Sequence, residues 1–160
     1  MSKVKGRFKE ELTSAISKTM ENMTFEDVTF IDDQEAVEPV SKNKYWAILP
    51  VKEPFQGELV LEVPKECGRN LALEAFGEID VTPDDEVVED IVAEMLNTLT
   101  GSFLKVLVSK DEIFHLGLPQ KGQGELPPLK ETSVSVYLTV GDHCLCVSYM
   151  GNDFSELLKE

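Results

Sequence analysis

Basic residues are scarce in this chain: 15 Lys and Arg stand against 30 Asp and Glu over 160 residues, a formal net charge of −15. Such an excess repels phosphate backbones and anionic lipid surfaces, which sets nucleic-acid and membrane partners aside. Long apolar runs are missing too. Stretches such as YWAILPV at 45–51 fall far below a membrane-spanning length, and the opening MSKVKGRFKEELTS is charged, with no apolar h-region. The expectation is a cytoplasmic protein. Cysteine is sparse: Cys67, Cys144 and Cys146 cannot all pair within one chain, and a chain of this size folds without staples, so they are read as reduced. The run HCLC at 143–146 does not make a metal site, because period-two alternation in a strand puts Cys144 and Cys146 on one face and His143 on the other. The two histidines, His115 and His143, sit in no nucleophile elbow, which argues against a serine or cysteine hydrolase. The glycines of GLPQKGQG lack the strand-to-helix context of a phosphate-cradling loop.

What is present suits one compact domain over residues 1–160, since 42% of the residues are hydrophobic and no length remains for a second large unit. Residues 6–23 carry Phe8, Leu12, Ala15, Ile16, Met20 and Met23 at helical spacing and predict a first amphipathic helix. The β-rich TFEDVTFI follows, then an acidic connecting loop at 32–43. YWAILPV and FQGELVLEV read as two strands joined by a tight turn around KEPFQG. A short second helix is predicted over 64–77, from Pro64 to Gly77. A long third helix is predicted over 83–107, with Thr82 as N-cap, Pro83 at the first position and acids in the first turn. FHLGLPQKGQGELPPL is expected to be largely loop, with a short strand at its start. TSVSVYLTV and HCLCVSYM alternate strongly about Gly141 and Asp142 and predict a hairpin with a two-residue turn. The outline is an α/β domain with antiparallel strand pairs.

The third helix carries the candidate site. On a wheel, Val88, Ile91, Val92, Met95, Leu96, Leu99, Phe103 and Val106 gather on one broad face, which must bury against a sheet. Asp90, Glu94, Asn97 and Gly101 follow at steps of four, three and four residues and line the opposite side, so Glu94 and Asn97 should face solvent together. Gly101 costs about 1 kcal/mol relative to Ala in a helix interior, and close approach of another surface is a physical reason for it. From Asn70 through Leu104 nine acids occur and not one Lys or Arg, so the region should attract a basic partner surface. Taken alone, an acid and an amide on an outward helix face are what any soluble helix shows.

The string EVVEDIVAEMLNTLTGSFL, followed after an interval by FHLGLPQKGQG, resembles the CheX/CheC/FliY family of chemotaxis phosphatases, most closely its CheX branch. The family pattern sets a Glu-x-x-Asn motif on a long exposed helix, continued by a small residue and Gly, with a later Leu-Gly-x-Pro loop. Those positions here are Glu94, Asn97, Gly101 and Leu116 to Pro119. The resemblance implies a two-layer domain, a largely antiparallel sheet packed against long amphipathic helices. It also implies dephosphorylation of the phospho-aspartate of a CheY-like response regulator. Asn97 would orient the attacking water and Glu94 would pair with a regulator lysine, with Asp90, Glu94, Thr98 and Gly101 as partner-contact positions. The chain would need no cofactor, because the Mg2+ belongs to the regulator. The first helix supplies no second motif: Glu11 pairs with Ser14 and Glu21 with Thr24, neither of which is an amide. A homodimer through sheet strands is expected, with Thr132 to Val140 a suitable edge if uncovered. The competing reading is a non-catalytic domain of the same fold that docks a regulator or motility protein.

Overall fold

The computed structural model describes residues 2–23, 28–31, 43–53, 56–76, 84–107, 114–127, 132–140 and 143–151. Three helices, α1 (Ser2–Met23), α2 (Lys65–Phe76) and α3 (Asp85–Leu107), accompany strands β1 (Val28–Ile31), β2 (Lys44–Glu53), β3 (Gly57–Pro64), β4 (His115–Leu116), β5 (Gln120–Gln123), β6 (Thr132–Val140) and β7 (His143–Gly151). All strands join one antiparallel sheet in the order β1-β6-β7-β3-β2-β4, with β5 also on β2. The helices pack on one face of it, so the layers are those of an α+β sandwich. No helix among the described residues is long and apolar enough to cross a membrane.

The helical stripes do what their spacing requires. Leu12, Ala15, Ile16 and Met20 of α1 and Val88, Val92, Met95, Leu96, Leu99 and Phe103 of α3 are all buried in one core with Tyr45, Leu59, Leu61, Leu138, Leu145 and Tyr149 from the sheet. Burying each such aliphatic side chain contributes roughly 1.5–3 kcal/mol, which is why amphipathic pattern rather than propensity decides where these helices lie. Val106 departs from expectation: it is 54% exposed. Its angle on the wheel suits the core, but it sits in the last turn of α3, beyond the reach of the buried set that ends at Phe103 and Leu104. Leu104 and Thr100, by contrast, are fully buried, which makes the buried arc wider than the wheel indicated. The Phe8 side chain, the proposed Thr82–Pro83 start, Gly77 and the 32–42 loop lie outside the described residues. Within them, α3 opens with a bond from the Val88 N–H to the Asp84 carbonyl, at 3.1 Å.

Both predicted hairpins form, β2 with β3 and β6 with β7; Val140 pairs with His143, so only Gly141 and Asp142 connect the second pair. One expectation needs correction, and one condition is answered in part. The Gly- and Pro-rich stretch after α3 contains a second strand, β5, which pairs Gln120–Gln123 with Tyr45–Ile48. Its residues, QKGQ, carry no apolar alternation because an edge strand needs only backbone pairing on one side. The β6 edge named for a homodimer is covered in part: β1 pairs it over Tyr137–Val140 and β7 lies on its other side, while no described strand pairs its outer side over residues 132–136. The stretch paired with β1 is therefore closed to a second copy.

The face of the sheet away from the helices has its own small cluster, Ile48, Val60 and Met150 with Trp46 and Leu126 against it. Lys44 and Glu62 form a buried ion pair there at 2.8 Å. Cys146 lies on the same face, its Sγ 3.4 Å from the Ser148 hydroxyl. Burial pushes the Cys146 thiol up to about 12 and raises that of Cys144, so neither is a thiolate at neutral pH and neither is a reactive nucleophile.

Candidate functional site

Helix α3 is held in register by its acids. The Tyr45 hydroxyl donates to Asp85 Oδ1 at 2.5 Å, and Arg69 stands 4.0 Å from the same carboxylate. Burial, then the hydrogen bond to Asp85, holds the Tyr45 hydroxyl protonated with a pKa up to about 12, while that same bond lowers the Asp85 carboxyl below its ordinary value. One turn on, the Gln123 amide donates to Glu89 Oε2 at 3.2 Å, and the Lys121 ammonium pairs with Asp90. Gln123 and Lys121 alternate on β5 toward the helix, whereas Gly122 between them lies against the Trp46 ring on the other face. A Cβ on Gly122 would sit 2.5 Å from that ring, so only glycine lets β5 close on β2 there. Strand β5 thus braces the N-terminal half of α3 through two polar contacts.

These contacts sort the acids. Asp85, Glu89 and Asp90 are each engaged by Tyr45, Gln123 or Lys121. Glu94 and Asn97 are exposed and take part in none of the hydrogen bonds or ion pairs among the described residues. Val92, before them, and Met95, between them, are buried at 0% and 1% exposure. The wheel therefore places a carboxylate and an amide side by side on the outer surface of a long helix, about 60° apart, with no partner for either among the described residues. Thr98 is exposed alongside them and Gly101 is half-exposed. The single sign of charge between 70 and 104 does not survive folding at the helix start, where Arg69, Lys65 and Lys121 are brought in from other elements. Glu94 has no ion-pair partner among the described residues.

A Cβ built on Gly101 meets nothing within 4 Å. None of the described residues thus requires glycine there. Gly101→Ala is expected to stabilise the fold by about 1 kcal/mol, seen as a rise in Tm of about 2–4 °C in calorimetry. A lowered Tm would show that the position is sterically constrained within the chain.

Sequence reasoning placed Asp90, Glu94, Asn97 and Gly101 on one stripe facing away from the core, and in α3 the first three are exposed and Gly101 is half-exposed. It missed Lys121 and Gln123, whose only signal is their alternation in a short polar segment opposite the acids of α3. Among the described residues no group of three His, Cys, Asp or Glu is arranged to hold a metal ion.

Comparison with known proteins gives this arrangement its relatives. The family model for the chemotaxis phosphatase CheX matches residues 45–141. Among solved structures, the CheX of a CheX–CheY–BeF3–Mg2+ complex from Borrelia burgdorferi has a TM-score of 0.71 at 18% identity, covering 89% of this chain and 96% of that one. CheX from Desulfovibrio desulfuricans gives a TM-score of 0.73 at 15% identity, with 89% and 97% covered. Thermotoga maritima FliY gives 0.66 at 13% identity, with 99% and 96% covered. A search of curated proteins returned no match. The matched segment runs from β2 to just past β6 and contains the whole of α3, and α1 and β1 complete the same core and sheet around it. The chain belongs to the CheX family of chemotaxis phosphatases.

Proposed function

We propose that this protein hydrolyses the aspartyl phosphate of a CheY-type response regulator, with Asn97 and Glu94 as its working residues. The observation that carries the reading is the pair itself: a carboxylate and an amide, adjacent on the outer face of α3, exposed and without partners among the described residues. An acyl phosphate is already reactive, so the demand on the protein is to place a water in line with the departing carboxylate. The Asn97 amide, with a donor and an acceptor on a short stem, is suited to hold that water. Glu94, one turn away and unpaired, meets a regulator lysine and fixes the register of docking. The Borrelia relative was solved with CheY, BeF3 and Mg2+; by analogy the Mg2+ here is bound by the regulator, and this chain contributes no ligand to it.

Against the alternative, a domain of this fold that docks a regulator without hydrolysing its phosphate, stands an exposed Asn97 amide that no described residue engages. Both readings place the partner on α3. Titrating isotope-labelled protein with a regulator activated by beryllofluoride and Mg2+ is expected to shift the backbone amide resonances of residues 90–101. A footprint on α1 or on the face of the sheet that bears Trp46 would refute docking at this stripe.

A further inference from the structure

Leu118 is 87% exposed, the most exposed large apolar side chain among the described residues. It is not on a slack loop. From Ile48 to Val51, β2 advances three residues, while the edge chain opposite it runs four, from Gln120 back to Leu116. One extra residue is therefore inserted in the edge, a bulge, and bulges re-aim side chains at sheet edges and beside active sites. Strands β4 and β5 pin it on both sides, and the Gly117 N–H donates to the Pro50 carbonyl at 2.8 Å. Gly117 itself packs on Pro50, where a Cβ would come within 3.1 Å of the ring, and Pro119 restricts the chain on the far side.

The contacts of α3 locate this point along the helix. Asp85 is bonded to Tyr45, and Asp90 to Lys121, the strand partner of Ala47, so α3 advances along β2 from Tyr45 toward Val51. At about 1.5 Å per helical and 3.3 Å per strand residue, the next two strand positions, to Leu49, correspond to the turn carrying Glu94. Leu118, between Gly117 on Pro50 and Gln120 on Ile48, is level with that turn. Asn97 follows Asp90 by seven residues, almost two full turns, and so leans to the same flank of α3 that β5 occupies. By this register Leu118 stands level with the Glu94 turn, on the edge-strand side of α3 toward which Asn97 leans.

We propose that Leu118 is an apolar anchor for the docked response regulator, inserting into an apolar recess beside the lysine that meets Glu94. This rests on the docking surface proposed above and adds a specificity-determining residue to it. A rigid, solvated Leu beside an unpaired charge is the arrangement from which central interface contacts are built, the apolar group supplying affinity and the charge the register.

The test uses the full chain with a CheY-type regulator. Affinity is measured on the regulator activated by beryllofluoride and Mg2+, and turnover on the same regulator phosphorylated by a small phosphodonor. Leu118→Ser is expected to raise both Kd and KM about tenfold or more with kcat within about twofold of wild type. Leu118→Met should restore affinity. Val106→Ser, which removes the other exposed large apolar side chain, on a different flank of α3, should change neither. Unchanged Kd for Leu118→Ser, in a wild type that binds and turns over, overturns the anchor alone and leaves the phosphatase reading standing. If wild type binds without turnover, the Kd comparison still decides the anchor while catalysis is lost. Absence of any binding by wild type overturns both.

Discussion

Asn97→Ala is expected to lower kcat for aspartyl-phosphate hydrolysis on the order of a hundredfold or more, the usual loss for a group that orients the attacking water, while leaving affinity for the regulator near that of wild type. The fold should be unaffected or slightly stabilised, because the side chain is exposed, has no partner among the described residues, and gives way to the better helix former. Glu94→Ala should behave differently in kind. On the proposed docking it removes a charge that meets a regulator lysine, so KM is expected to rise and the salt dependence of association to weaken, with kcat retained at saturation. Initial rates over a range of regulator concentrations separate the two effects. Matching losses in KM from both variants would make Asn97 a contact residue and leave the chemistry to the regulator.

Lys44→Met is expected to destabilise the fold by about 3 kcal/mol, at the lower end for a buried pair broken on one side. The pair is short, 2.8 Å, and both side chains are nearly sealed, at 9% and 11% exposure, on the face of the sheet opposite the helices. Removing the ammonium leaves the Glu62 carboxylate buried without its cation, beside Cys146 across the strand pair. Desolvation of that charge, rather than loss of a favourable contact, dominates the cost. Chemical denaturation should therefore show the double variant Lys44→Met/Glu62→Leu recovering most of the loss, since neither charge then remains to be buried. A double variant as unstable as the single one would mean that the Lys44 stem, not its charge, is what the site needs.

These two sites differ in how far the sequence discloses them. Helix α3 was legible because 23 residues give the 3.6-residue period six turns in which to separate a core face from an outer one. Val92 and Met95 went inward and Glu94 and Asn97 outward, as the wheel required. The misassigned residue, Val106, lies at the helix end, where angle no longer implies a surface to bury against. The two hairpins were legible from period-two alternation and turn residues.

What could not be read was everything set by strand order. Nothing in TSVSVYLTV shows that β1, more than a hundred residues away, covers its far half, which leaves only residues 132–136 of that edge without a described strand partner. Strand β5 escaped because pairing at an edge needs backbone groups alone, and QKGQ offers no apolar face. With β5 went Lys121 and Gln123, the braces of α3, and the bulge that turns Leu118 outward. The Lys44–Glu62 pair was hidden for the same reason: two charges 18 residues apart become partners only when β2 and β3 align.

If the α3 stripe is catalytic, the direct measurement is phosphate release from a phosphorylated CheY-type regulator, kept in large molar excess over this protein in the presence of Mg2+. The expected result is many phosphates released per molecule of protein, faster than the regulator's own decay, with the acceleration abolished in Asn97→Ala. Wild type that binds the phosphorylated regulator and leaves its decay unchanged would contradict it, and Glu94 and Asn97 would then be docking residues of a binding domain.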